Sequence, residues 1–269
     1  MFEILSSPDA WVALFTLTFL EIILGIDNIV FISILANRLP IEQRKKATNL
    51  GLIAAMVQRV ALLFLVSFLI GLSKPFYEVE LSWIKAGLSW QSIILFTGGL
   101  FLLFKSTSEI HDKVSKNSNI DQEEKAPVTK TLQKVILQIL LVDFVFSIDS
   151  ILTAVGMTNG LGREPMDALI IMIIAVVISI GVMLIFANAI RVFIDNNPSI
   201  QMLALSFLIL IGFMLITEAA HLSHVSVFGQ SIGAIPKGYL YFAIAFSLLV
   251  EFLNIKFRKK IQLIDKDNL

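Results

Sequence analysis

A chain of 269 residues that is 57% apolar and 16% charged lacks the polar surface a soluble domain needs, and points to lipid as its solvent. Cysteine is absent, which excludes disulfide staples, thiolate metal sites and cysteine nucleophiles. Lys plus Arg and Asp plus Glu balance at 21 each, so no global charge recruits nucleic acid, and the information lies in where the charges sit.

The first apolar run is preceded by Glu3 and Asp9 and by no Lys or Arg, and it is too long for a signal core. It reads as a retained first span. A helix of about 20 apolar residues crosses a bilayer. That rule predicts seven spans: Trp11–Ala36, Leu50–Leu72, Leu88–Phe104, Val135–Met157, Ala168–Ile190, Ile200–Ala220 and Gly238–Leu253. The expected fold is all-α, a polytopic bundle of seven transmembrane helices forming one membrane domain over residues 1–269. The third span is short, and snorkelling of Lys85 and Lys105 at its ends extends it. The polar stretch 105–134, with Asp121-Gln122-Glu123-Glu124-Lys125, is expected to be a solvated cytoplasmic linker.

Basic residues set the expected orientation. With the N-terminus outside, sixteen of the 21 Lys and Arg fall in the inner connections and at the C-terminus, and four (Lys74, Lys85, Arg163, Lys237) fall outside. Arg59 lies within the second span. The split predicts an outer N-terminus and a cytoplasmic C-terminus.

The chain repeats itself where it carries charge. Glu21-Ile22-Ile23-Leu24-Gly25-Ile26-Asp27-Asn28-Ile29 in span one aligns with Asp143-Phe144-Val145-Phe146-Ser147-Ile148-Asp149-Ser150-Ile151 in span four. The copies lie three spans apart in the chain, an odd offset, so they run in opposite directions. That predicts an inverted repeat of spans 1–3 and 4–6 plus a seventh helix, with a site near the midplane where the repeats meet. Gly99–Lys105 and Gly212–Glu218 form a fainter echo of the same relation.

An Asp at the centre of a span costs roughly 2.5–3.5 kcal/mol on insertion scales. Glu21, Asp27, Asp143, Asp149 and Glu218 all fall inside predicted spans, and only Arg59 opposes them there. Such an excess requires protonation or a bound cation, which suits a carrier exchanging cations for protons. Glu21, Gly25 and Asn28 share a helical face, as do Asp143, Ser147 and Ser150, while Asp27 and Asp149 sit about 120° away. Breaks at Gly25 and near Ser147 are expected to turn each Asp to a common point. Carboxylates, side-chain oxygens and freed carbonyls then ring one cation. An oxygen-only set fits Mg²⁺, Ca²⁺ or Mn²⁺ and does not choose among them.

Polar residues inside spans can also be interhelical glue alone. Arg59 is expected to be a counter-ion to one of the acids or a proton-relay group, ahead of a substrate contact, and Glu218 a ligand, a proton-relay group, a counter-ion or a snorkelling end residue. Glu251 reads as interfacial, and His221 and His224 as a solvated loop pair.

The segments Glu21–Asn28, Asp143–Gly156 (DFVFSIDSILTAVG), Gly98–His111 (GGLFLLFKSTSEIH) and Pro236–Asn254 (PKGYLYFAIAFSLLVEFLN) resemble the TerC family of bacterial membrane proteins. The resemblance runs along nearly the whole chain and is closest to the branch in which this domain is sometimes followed by soluble CBS domains, parts expected to be missing after Leu269. It implies a divalent-metal exporter of the bacterial cytoplasmic membrane, with Mn²⁺ as the favoured substrate. By position, Glu21, Asp27, Asp143 and Asp149 form the core of the metal site, with Asn28 and Ser150 as auxiliary ligands. Expected partners are membrane lipid, a divalent cation and protons as coupling ion, with no permanently bound cofactor and no nucleic acid. The competing readings are export of an amino acid or other organic cation, and a membrane partner that supplies metal to exported proteins. A retinal protein needs a lysine within the last span, and a zinc protease needs His-Glu-x-x-His; both are missing, and no enzyme is expected.

Overall fold

Every long apolar run becomes a helix, and local chemistry sets where each begins. The computed structural model describes residues 7–37, 39–81, 84–118, 131–158 and 165–267. Helix α1 spans Pro8–Ala36; the Ser7 hydroxyl accepts from the Ala10 amide at 3.3 Å, Pro8 fills the first turn, and Asp9 meets the positive end of the helix dipole. α2 (Ile41–Phe64) is parted from the short α3 (Val66–Leu72) by Leu65 alone. The hairpin β1 (Pro75–Glu80) and β2 (Ile84–Ser89) leads into α4 (Trp90–Ser118). Then come α5 (Leu132–Thr158), α6 (Pro165–Asp195), α7 (Pro198–Leu222), the strands β3 (Ser226–Val227) and β4 (Gln230–Ser231), and α8 (Lys237–Asp267).

Among the described residues, six helices are long and apolar enough to cross a membrane: α2, α4, α5, α6, α7 and α8. α1 coincides with the first expected span and has 29 residues, some with side chains outside the described set.

Helix directions follow from the contacts. A Cβ on Gly51 of α2 would meet Ile139 of α5, and further along both helices Arg59 bonds to Ser147, so α2 and α5 run parallel. Phe31 and Ile32 of α1 face the same cavity as Leu52 and Ala55 of α2, whereas the earlier Glu21 meets the later Arg59, so α1 and α2 run antiparallel. Consequently α1 and α5 point in opposite directions. α4 lies along α7, also antiparallel: Gly99 meets Gly212, while the later Lys113 meets the earlier Gln201. At that crossing an added Cβ on Gly99 would lie 2.6 Å from the Gly212 carbonyl oxygen, and one on Gly212 would lie 2.9 Å from the Gly99 oxygen. Both positions need glycine so that the two backbones can touch. α1 also packs on α6, and α8 packs mainly on α7.

Three expectations need correction. The fold is not purely α: the four strands form an antiparallel sheet in the order β1-β2-β3-β4. Lys85 therefore sits in β2 opposite Glu80 and Ser226, and does not snorkel from a helix end. The Phe76-Tyr77-Glu78-Val79-Glu80 run favours strand by its aromatic and β-branched content, and the Gly87 amide donates to the Ser223 carbonyl at 2.7 Å, sealing the sheet against the end of α7.

The second correction concerns residues 105–118, which continue α4 instead of beginning a solvated linker. Ser106 and Glu109 are buried, Lys105 pairs with Glu109 one turn on, and Lys113 donates to Gln201 of α7. The Lys105–Glu109 pair within the helix and the Lys113–Gln201 bond to α7 support the helix past the point where its apolar run ends. Residues 119–130 lie outside the described residues.

Third, α1 and α5 are continuous through Gly25 and Ser147, with no break to turn the acids or free carbonyls. Gly25 serves close packing: a Cβ there would collide with the sulfur of Met183 on α6. The Ser147 hydroxyl is used by its neighbours, as described next.

Candidate cation site

Three buried charges from three helices meet in the interior. Arg59 on α2 is 2% exposed, and Glu21 on α1 and Asp143 on α5 are each 4% exposed. The Arg59 guanidinium donates through Nη1 to Glu21 Oε2, through Nη2 to Asp143 Oδ1 at 2.8 Å, and through Nε to Ser147 Oγ at 3.0 Å. Ser147 in turn donates to Asp143 Oδ2 at 3.1 Å. Beside them the Gln58 amide donates to the Leu140 carbonyl at 3.1 Å, fixing α2 against α5. Planar donors in a fixed fork suit this bridging, and a lysine could not reproduce it.

Ser147 follows Asp143 by four positions, about one helical turn, so both face α2. Asp149 is six residues from Asp143, which turns it about 120° round the same helix and about 9 Å along it. It faces α8, where Lys237 Nζ donates to Asp149 Oδ2 at 2.5 Å and stands 3.5 Å from Thr153 Oγ1. Half-buried Glu218 of α7 lies in the field of Asp149, Lys237 and His221. Ser150 is buried, and its hydroxyl donates to the Ser147 carbonyl at 3.3 Å.

The expected ring of four carboxylates is thus divided. Glu21 and Asp143 come together on Arg59, which bridges both acids where the sequence suggested a counter-ion to one. Asp149 stands apart on Lys237. Asp27 and Asn28 continue α1, and their side chains lie outside the described residues. Among the described residues, no group of three or more His, Asp or Glu gathers closely enough to hold a metal ion.

Two small cavities flank Arg59. One, of about 10 Å³, is walled by Arg59, Asp143 and apolar residues that include Leu52, Ile139 and Met183, toward the starts of α2 and α5. The other, of about 30 Å³, is walled by Arg59, Asp149, Ser150, Met214 and Lys237, toward the end of α7 and the start of α8. A water needs about 10–15 Å³ of such space, so these cavities match single waters or small ions.

Sequence reasoning missed Lys237 and Thr153 as site residues, and placed Ser147 on the face of Asp143 but as a helix break instead of a partner of Arg59. Lys237 counts by position as an outer-loop charge; its signal is that it opens the last span, directly after Pro236, opposite spans that carry more acids than bases.

The comparisons with known proteins agree with the membrane architecture. The model of the Integral membrane protein TerC family matches residues 6–263. The chain is 44% identical over 262 residues to the UPF0053 inner membrane protein YgdQ of Escherichia coli (strain K12), covering 97% of this chain and 98% of that one. It is 40% identical over 259 residues to a UPF0053 protein of Haemophilus influenzae, covering 96% and 99%. The UPF0053 inner membrane protein YoaE of Escherichia coli (strain K12) is 40% identical over 252 residues, which span 94% of this chain and 44% of YoaE. No solved structure matches. With its apolar helices and a family match along nearly its whole length, the chain is a multi-pass membrane protein that belongs to the TerC integral membrane protein family.

Proposed function

We propose that the protein is a cation exporter of the membrane, moving a divalent metal ion, Mn²⁺ foremost, in exchange for protons. The observation that carries this reading is that equivalent acids of the two motif copies, Glu21 and Asp143, converge on one buried cationic group. Opposite directions of α1 and α5 and the Gly99–Gly212 crossing support an inverted repeat, the architecture in which carriers place their site between the halves.

Charge supports the same reading. Glu21 and Asp143 share Arg59, two carboxylates on one cationic side chain, and Glu218 lies near Asp149, the carboxylate that Lys237 pairs with. Inside a bilayer such an excess is balanced by a proton or a mobile cation. Carboxylate and hydroxyl oxygens suit a hard divalent ion, and Mn²⁺ is preferred from the family resemblance. Cavities of about 10 and 30 Å³ favour a bare or partly hydrated ion over an amino acid. No covalent step belongs to this reading.

The test is Mn²⁺ flux in proteoliposomes carrying an internal pH dye, wild type against Asp149→Asn and Asp27→Asn. Mn²⁺ movement with opposite proton movement, lost in the variants, is the expected result. Well-folded wild type that moves neither Mn²⁺, Mg²⁺ nor Ca²⁺ would reject the reading.

A further inference from the structure

Arg59 lines both cavities at once, the one that holds Asp143 and the one that holds Asp149. Along α5 the walls pass from Ile139, Val142 and Asp143 on one side of the guanidinium to Phe146, Asp149 and Ser150 on the other. Along α2 the first cavity lies toward the start of the helix, with Leu52 and Ala55, and α2 and α5 run parallel, so the cavities lie on opposite sides of Arg59. We propose that Arg59 is a tethered counter-cation that closes the passage between these two cavities, and that a transported divalent cation replaces its guanidinium on Glu21 and Asp143. This rests on the cation-export reading and adds the residue that gates it.

The geometry explains why an arginine fits this task. A guanidinium bridging two buried carboxylates is a cationic placeholder: it prevents two like charges from facing each other across a low-dielectric interior. Its fork satisfies both acids without a metal, so the closed state is stable when no cargo is present. A divalent ion placed between the same carboxylates carries twice the charge and releases the arginine. The freed side chain borders the second cavity, where Asp149, paired with Lys237 in this closed arrangement, supplies a carboxylate on the far side of the guanidinium. When the cargo leaves, the guanidinium returns to Glu21 and Asp143 and resets the site. A lone divalent site without the arginine would hold its ion and release it slowly.

Binding and transport are therefore expected to move in opposite directions on removal of Arg59. Mn²⁺ binding to purified protein in detergent, followed by loss of the free-Mn²⁺ electron paramagnetic resonance signal, is compared for wild type and Arg59→Gln. Arg59→Gln is expected to bind Mn²⁺ at least about tenfold more tightly, ~1.4 kcal/mol, with a larger rise of melting temperature on adding Mn²⁺ and slower Mn²⁺ release from loaded protein. Arg59→Lys keeps the charge but not the fork and is expected to fall between the two. The triple variant Glu21→Gln, Arg59→Gln, Asp143→Asn retains a neutral hydrogen-bonding cluster and is expected to lose the Mn²⁺ effect. Equal or weaker Mn²⁺ binding by Arg59→Gln overturns the proposal. If Arg59→Gln is unstable alone, Mn²⁺ must restore a monodisperse folded protein, and failure to do so also overturns it. Absence of flux by wild type in liposomes instead rejects the export reading, an outcome read separately from the affinity comparison.

Discussion

Glu21 of α1 and Asp143 of α5 accept hydrogen bonds from the two terminal nitrogens of a single guanidinium, that of Arg59. These acids occupy the same position in the two copies of the repeated motif, and the helices that carry them run in opposite directions. In its ionised form each acid needs a cation beside it in this interior, which Arg59 supplies here, and the buried arginine needs at least one of the two acids.

Removing a single partner should therefore divide by sign. Arg59→Met leaves two carboxylates facing each other in the interior and is expected to lower stability by about 3–5 kcal/mol. Asp143→Asn leaves Arg59 paired with Glu21 and keeps a hydrogen-bonding oxygen, so its cost should be smaller, while transport is lost. Thermal unfolding in detergent, run beside the flux assay, checks both. Equal destabilisation by the two variants would show that charge balance does not govern this cluster.

The Lys237–Asp149 pair is less enclosed by protein than the Arg59 cluster, at 27% and 16% for the two side chains. A double-mutant cycle with Lys237→Met and Asp149→Asn should return a coupling of about 1 kcal/mol or less. The transport defect of either single variant should be far larger than that coupling implies, because the pair lines the cavity beyond Arg59. Near-normal flux in Lys237→Met would remove α8 from the pathway.

Gly99 and Gly212 set how closely α4 and α7 approach. An alanine at Gly212 would press its methyl group on the Gly99 carbonyl and on Leu102 and Leu103. The expected cost is about 1–3 kcal/mol, the usual range for overpacking. Gly181 on α6 meets nothing within 4 Å. Gly181→Ala should leave stability unchanged or raise it by roughly 0.5–1 kcal/mol through helix propensity. Melting temperatures of the two variants in one detergent would separate crossing from propensity.

The absence of native cysteine makes orientation directly measurable. A cysteine at Glu78, in the hairpin, is expected to react with an impermeant maleimide added to intact cells. One at Ser115, near the end of α4, should react only after permeabilisation. The reverse pattern would invert the orientation drawn from the distribution of Lys and Arg.

The apolar runs, the acids they carry and the repeated motif are properties of individual residues and their spacing, so they were legible in the chain before any contact was known. Hydrophobicity and charge act locally, and a bilayer sorts segments by them. Which cation serves which acid could not be read the same way. It depends on how each helix is rotated against its neighbours, at about 100° per residue. Asp143 and Asp149 belong to one motif and one unbroken helix, yet α5 turns one toward Arg59 of α2 and the other toward Lys237 of α8. The small sheet escaped for a related reason: β2 finds its second partner, β3, across more than a hundred residues of intervening chain. Sequence by itself determined a membrane bundle burdened with acids; tertiary packing decided that Glu21 and Asp143 meet on Arg59 while Asp149 turns to Lys237.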